Sequence, residues 1–263
     1  MNDILLKTAF IFYSASTVFF FITLLSRSNI GYEIGRFLLK AGFVLHSLMV
    51  GMRWHEAGRP PFANMYEALV LFGWAVVLVY IIFELIYKAK FLAIPVNILA
   101  IIFLSAALPV SSAISPLVPA LQSRWMSVHV ITYFIGYGAL SIAFVLSAMY
   151  LILAIREKNG SEAMSVLDDF TYRLIIFGFP FLTVGMTTGS IWANYAWGTY
   201  WNWDPKETCS LITWLVYAVY LHVRILRGWK DKKAAYLSLL GFLATLFTFV
   251  GVNFILPGLH SYS

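Results

Sequence analysis

The chain has 263 residues, of which 61% are hydrophobic, 17% aromatic and only 11% charged, with a mean hydropathy of +0.81. A water-soluble domain carries about 25% charged residues, so this composition cannot cover a water-facing surface, and it excludes disordered and collagen-like chains. The single cysteine, Cys209, excludes a disulfide scaffold, and in so apolar a chain a formal net charge of +6 reports membrane orientation rather than nucleic-acid binding.

A helix crossing the hydrocarbon core needs about 20 mostly apolar residues. Polar and Gly/Pro-rich joints leave eight such stretches, approximately 6–25, 37–53, 66–87, 91–108, 129–155, 172–191, 209–226 and 235–256. Pro95 and Asn97 interrupt the first turn of the fourth, which is expected to start late or bend. The first lacks a basic leader and a small-residue cleavage site, so it reads as a retained helix. The expected fold is all-α, one polytopic membrane domain of eight transmembrane helices with no soluble domain.

Short cytoplasmic joints accumulate Lys and Arg. The first, third, fifth and seventh joints, with their helix ends, hold Arg27, Arg36, Lys40, Lys88, Lys90, Arg156, Lys158, Arg173, Arg224, Arg227, Lys230, Lys232 and Lys233, which is thirteen of the eighteen basic residues. Lys7, Arg53, Arg59, Arg124 and Lys206 make up the other five. Both termini are therefore expected outside, with the joints 54–65, 109–128 and 192–208 and the tail from Pro257 facing the periplasm or its equivalent.

The joint between the sixth and seventh spans places Trp192, Trp197, Trp201 and Trp203, four of the nine tryptophans, within twelve residues. An aromatic belt at the lipid headgroups is the plain alternative, but belts scatter one or two such residues per helix end. A dense aromatic platform suits a flat apolar ligand such as a porphyrin. At the end of the joint, Asp204, Pro205 and Glu207 fit the N-cap, N1 and N3 positions of the seventh helix. Asp204 thus reads as a cap rather than an acid catalyst.

The run Trp197-Gly198-x-x-Trp201-x-Trp203-Asp204-Pro205-Lys206-Glu207 resembles the tryptophan-rich WWD signature of the haem-handling proteins of cytochrome c biogenesis. The nearest group is the CcsA/ResC type, the smaller partner in a two-protein haem export and attachment system. Pro61-x-x-Asn64-x-Tyr66-Glu67 and the eight-helix layout extend the resemblance over essentially the whole chain.

Histidine binds haem iron through a neutral imidazole. His129, at the outer start of the fifth span, and His260, just past the eighth, fall on the same expected side as the tryptophans. His222 lies thirteen residues into the seventh span, about 20 Å from its outer end at 1.5 Å per residue. His46 is a second intramembrane histidine, read as a packing or hydrogen-bonding residue, and His55 is read as a solvated loop residue. Arg53, Arg59, Arg124 and Lys206 are the cations available to the haem propionates. Glu84 is expected to pair with Lys88 at i,i+4, and the basic run 224–233 reads as an inner-side anchor.

The resemblance implies specific roles for these residues. His129 and His260 hold the iron of haem b at the external WWD segment formed by Trp192, Trp197, Trp201, Trp203 and Asp204. His222 binds haem within the membrane, with a second ligand from a larger ResB-like partner. An apocytochrome c then presents Cys-x-x-Cys-His for thioether formation, making the chain a component of a cytochrome c synthase. The membrane is a bacterial plasma membrane or a thylakoid, with the segment facing the periplasm or lumen. Two rivals remain at this stage: a b-type cytochrome subunit taking electrons from quinol with His46 and His222 as its haem pair, and a structural subunit without cofactor.

Overall fold

The computed structural model describes residues 2–26, 29–114, 116–157 and 160–252. Its helices are α1 (Asn2–Ser26), α2 (Asn29–Ala57), α3 (Met65–Tyr87), α4 (Ala93–Ala107), α5 (Arg124–Arg156), α6 (Glu162–Trp197), α7 (Pro205–Leu226) and α8 (Asp231–Leu246). Short 3-10 turns occupy Lys90–Leu92 and Pro119–Leu121, and a π-helical turn follows α8 at Phe247–Gly251. Among the described residues eight helical stretches are long and apolar enough to cross a membrane, and no strand occurs. The chain is an all-α multi-pass membrane protein whose helices form two compact units, one ending at Leu117 and the other beginning at Val118.

In the first unit, glycines of α2 let α1 approach closely. A Cβ on Gly35 would stand 2.9 Å from the Phe20 ring, and one on Gly42 3.1 Å from Tyr13. Because lipid tails are as apolar as leucine, such close packing and buried polar contacts hold membrane helices together. One of these contacts runs across three helices: Asn97 Nδ2 of α4 donates to Ser16 Oγ at 2.8 Å, which donates to the Gly35 carbonyl at 2.7 Å. Pro95 falls in the first turn of α4, where an N–H has no intrahelical acceptor in any case. The interruption read in the fourth span therefore removes no helical hydrogen bond.

Carboxylates fix α3 at both ends. Near its start, Asn64 caps the helix by accepting from Glu67 N, and the Glu67 carboxylate receives both Arg53 and Arg59 at 2.9 Å. Near its end, Glu84 takes Arg36 Nε at 2.6 Å and Lys40 Nζ at 3.0 Å from α2. This corrects the expected Glu84–Lys88 pair. Lys88 is the C-cap at φ 55°, where the chain leaves the helix, while two cations of α2 stand across from Glu84.

The second unit is built on α5 and α6, 33 and 36 residues long. At 1.5 Å per residue they run roughly 50 Å, well beyond a hydrocarbon core of about 30 Å, so the spans 129–155 and 172–191 are only their apolar middles. Pro180 lies inside α6. Ser123 and Ser161 cap the starts of α5 and α6 through their side chains, and Gly198, at φ 79°, ends α6 in the left-handed conformation glycine tolerates. Arg224, in the last turn of α7, grips Asp168 of α6 with two bonds of 2.9 and 2.6 Å and lies over the Tyr172 ring.

Candidate functional site

The tryptophan-rich joint is part helix and part loop. Trp192 and Trp197 belong to the last turns of α6, Gly198 turns the chain, and residues 198–204 lead into α7. The start of α7 is a capping box with Pro205 at N1, as expected: Asp204 accepts from Lys206 N at 2.8 Å, while Glu207 accepts from Asn202 N at 2.8 Å and Asp204 N at 3.3 Å. Asp204 is buried, and its carboxylate holds the loop end.

The four tryptophans do not make one flat platform. Trp192 is 2% exposed, and its indole N–H donates to the Ala120 carbonyl at 2.7 Å. Trp197 meets it edge-on at 4.8 Å. Trp201 and Trp203 form a second edge-on pair at 5.8 Å. Trp203 is 69% exposed and sits at φ 58°, a left-handed conformation that side chains rarely adopt.

His129 joins the first of these groups. In the second turn of α5, its ring stacks on Trp192 at 5.9 Å and meets Tyr133 edge-on at 4.8 Å. Its Nδ1 lies 2.7 Å from the Gly185 carbonyl oxygen of α6. A carbonyl only accepts, so Nδ1 carries the hydrogen, and in the neutral ring Nε2 carries the lone pair. A backbone carbonyl on one ring nitrogen is the arrangement that fixes the tautomer and aim of metal-binding histidines.

The other histidines are differently placed. His222 lies on an exposed face of α7, one turn before Leu226. Because α7 begins at Pro205, His222 stands about 26 Å along the helix, further than the seventh span alone implies. His46 is fully buried, with Nδ1 3.3 Å from the Tyr13 hydroxyl, a packed polar residue of the first unit. His55 is exposed in the last turn of α2. His260 lies outside the described residues.

Arg53 and Arg59 are committed to Glu67. Arg53 also donates to the Ser112 carbonyl at 2.9 Å and covers the Tyr66 ring, and Arg59 to the Pro60 carbonyl at 3.2 Å. Their side chains are 3% and 9% exposed, which removes both from the cations expected to meet propionates. Arg124, exposed at the start of α5, and Lys206, in the first turn of α7, remain beside the segments that carry His129 and the tryptophans.

Fold and site define a polytopic helical membrane protein with a tryptophan-rich joint and a carbonyl-oriented imidazole packed against that joint. Residues 62–260 match the model of the family described as Cytochrome C assembly protein. The chain is 41% identical to the cytochrome c biogenesis protein CcsA of Chlamydomonas reinhardtii, over 87% of this chain and 68% of that protein. It is 35% identical to the CcsA of Prochlorococcus marinus, over 97% and 91%. The solved structure of the cytochrome c heme lyase CcmF shares the fold at a TM-score of 0.71 and 19% identity, over 94% of this chain and 46% of that one. The chain belongs to the Cytochrome C assembly protein family.

Proposed function

We propose that this protein presents haem b, as a substrate, for covalent attachment to an apocytochrome c. His129 and His260 hold the haem iron beside the tryptophan-rich joint, on the periplasmic or lumenal side. The observation that carries this reading is the hydrogen bond from His129 Nδ1 to the Gly185 carbonyl, which puts the hydrogen on Nδ1 and so makes Nε2 the nitrogen suited to ligate, in a wall made by Trp192 and Tyr133. Trp201 and Trp203 supply stacking area, and Arg124 and Lys206 supply charge for the propionates. His222, exposed on α7, ligates haem within the membrane together with a larger ResB-like partner.

In the attachment step, each thiol of the client's Cys-x-x-Cys-His adds across a haem vinyl group. Sulfur bonds to one vinyl carbon and hydrogen to the other, so no leaving group or external redox agent enters the balance. The protein's contribution is to hold haem and thiols in reacting geometry. His129→Ala and His260→Ala should each abolish covalent haem on a co-expressed Cys-x-x-Cys-His reporter, read by haem staining, while haem held within the membrane persists. Normal attachment in both variants would reject this site and favour the electron-transfer reading.

A further inference from the structure

The imidazole of His129 is seated on α6 at a place where α6 has no side chain. A Cβ built on Gly189 would overlap Nδ1 of that ring and come within 2.6 Å of Cε1. One turn earlier, Gly185 supplies the carbonyl that accepts from Nδ1 at 2.7 Å, and a Cβ there would stand 2.7 Å from the Tyr133 ring. Thr188 Oγ1 donates to the same carbonyl at 3.2 Å, and Thr132 Oγ1 donates to the His129 carbonyl at 2.9 Å, tying both backbones at the contact. Trp192, the residue three beyond Gly189, closes over the ring. The sequence Gly185-Met-Thr-Thr-Gly189 is the small-x-x-x-small spacing that lets helices touch, but here its gap is filled by an imidazole.

We infer that Gly185 and Gly189 form a cradle that positions the His129 imidazole for haem iron, with Gly189 the positioning residue that fixes ring depth and the Gly185 carbonyl fixing the tautomer. The inference rests on the reading of His129 as a haem ligand. A methyl group at position 189 would push the ring off the Gly185 carbonyl, so both the direction of Nε2 and the proton on Nδ1 would be lost while His129 stays in the chain. Alanine is the better helix former, so such a loss would not arise from weakening α6.

Gly189→Ala should accumulate in the membrane and lose covalent attachment to the reporter by about tenfold or more, the range typical when an outer support of a metal ligand is removed. Gly178→Ala is the packing control: its Cβ would press on Ala139 and the Gly136 carbonyl in the same helix pair, well away from His129. It should leave attachment near the wild-type level. The second arm does not require the single variant to fold. In His129→Gly, added imidazole should enter the cradle and restore attachment, whereas in His129→Gly combined with Gly189→Ala the cradle is filled and rescue should need about tenfold more imidazole or fail. Equal rescue in the two backgrounds, or wild-type attachment in Gly189→Ala, overturns the cradle. Wild-type attachment in His129→Gly without imidazole overturns the ligand reading itself, and the cradle with it.

Discussion

Arg53 and Glu67 meet at 2.9 Å with 3% and 0% of their side chains exposed, and Arg59 takes the second oxygen of the same carboxylate at 2.9 Å. Two buried guanidiniums therefore depend on one acid. Removing one partner of a buried charge pair strands the other and costs about 3–5 kcal/mol. Glu67→Gln should accordingly lower accumulation and the thermal unfolding midpoint of the purified protein. Asp169→Asn, whose ion pair with Arg173 is 48% and 41% exposed, should barely move either, because exposed pairs contribute little. Equal midpoints for the two variants would mean that the Glu67 cluster does not support the fold.

The capping box at the start of α7 separates a structural role for Asp204 from a chemical one. Asparagine caps as well as aspartate, whereas alanine costs about 1 kcal/mol. Asp204→Asn should therefore keep covalent attachment near the wild-type level, and Asp204→Ala should reduce it by loosening residues 198–204. Loss of attachment in the asparagine variant would assign Asp204 a role that needs its charge.

The thirteen-to-five distribution of basic residues predicts the orientation on which the proposed external site depends. An alkaline phosphatase fusion after Ser263 should be active, as an exported reporter, and one after Lys232 inactive. The reverse pattern would put the tryptophan-rich joint on the cytoplasmic side and remove it from contact with an exported apocytochrome.

The spans were legible in the sequence because a membrane helix must satisfy its own backbone and is therefore apolar along its whole crossing. Helix ends were not, since α6 begins at Glu162 and carries Asp168 and Asp169 on turns that hydropathy assigns to a joint. The cap formed by Asp204 and Glu207 was legible because it is local. The partners of Glu84 and Glu67 were not, because Arg53 reaches Glu67 from another helix, and Arg36 and Lys40 of that helix outcompete the local Lys88 at Glu84. An acid inside an apolar run does signal that some partner must exist. Clustering of tryptophans in sequence likewise gave their number but not their ring planes. The Gly185 carbonyl that orients His129 has no side chain to announce it, and only the spacing to Gly189 marks the place.

The two tryptophan groups should respond differently to substitution. Trp192 is buried with its N–H on the Ala120 carbonyl, so Trp192→Ala leaves both a cavity and an unpaired acceptor. A loss of about 3–5 kcal/mol is typical of such a deletion, and the variant should accumulate poorly. Trp203→Ala, at an exposed position, should accumulate normally and lower only attachment, with a stacked ring worth about 1 kcal/mol beyond its burial. Membrane immunoblots set beside reporter haem staining distinguish the two. Poor accumulation of Trp203→Ala would make that ring a packing residue.

His222 tests the other end of the proposed haem route. It lies exposed on α7, two residues before Arg224, whose pair with Asp168 fixes this end of the helix to α6. This imidazole is exposed among the described residues, and in hydrocarbon it needs a polar or metal partner. His222→Gly should therefore lower the unfolding midpoint by no more than the helix-propensity cost of glycine, about 1 kcal/mol or less, while lowering the haem recovered with the purified complex, measured from the Soret absorbance. Added imidazole should fill the vacant coordination position and restore part of that haem. Full haem recovery in His222→Gly, with no response to imidazole, would reject a ligand role for His222 and confine the proposed haem site of this chain to its other histidines.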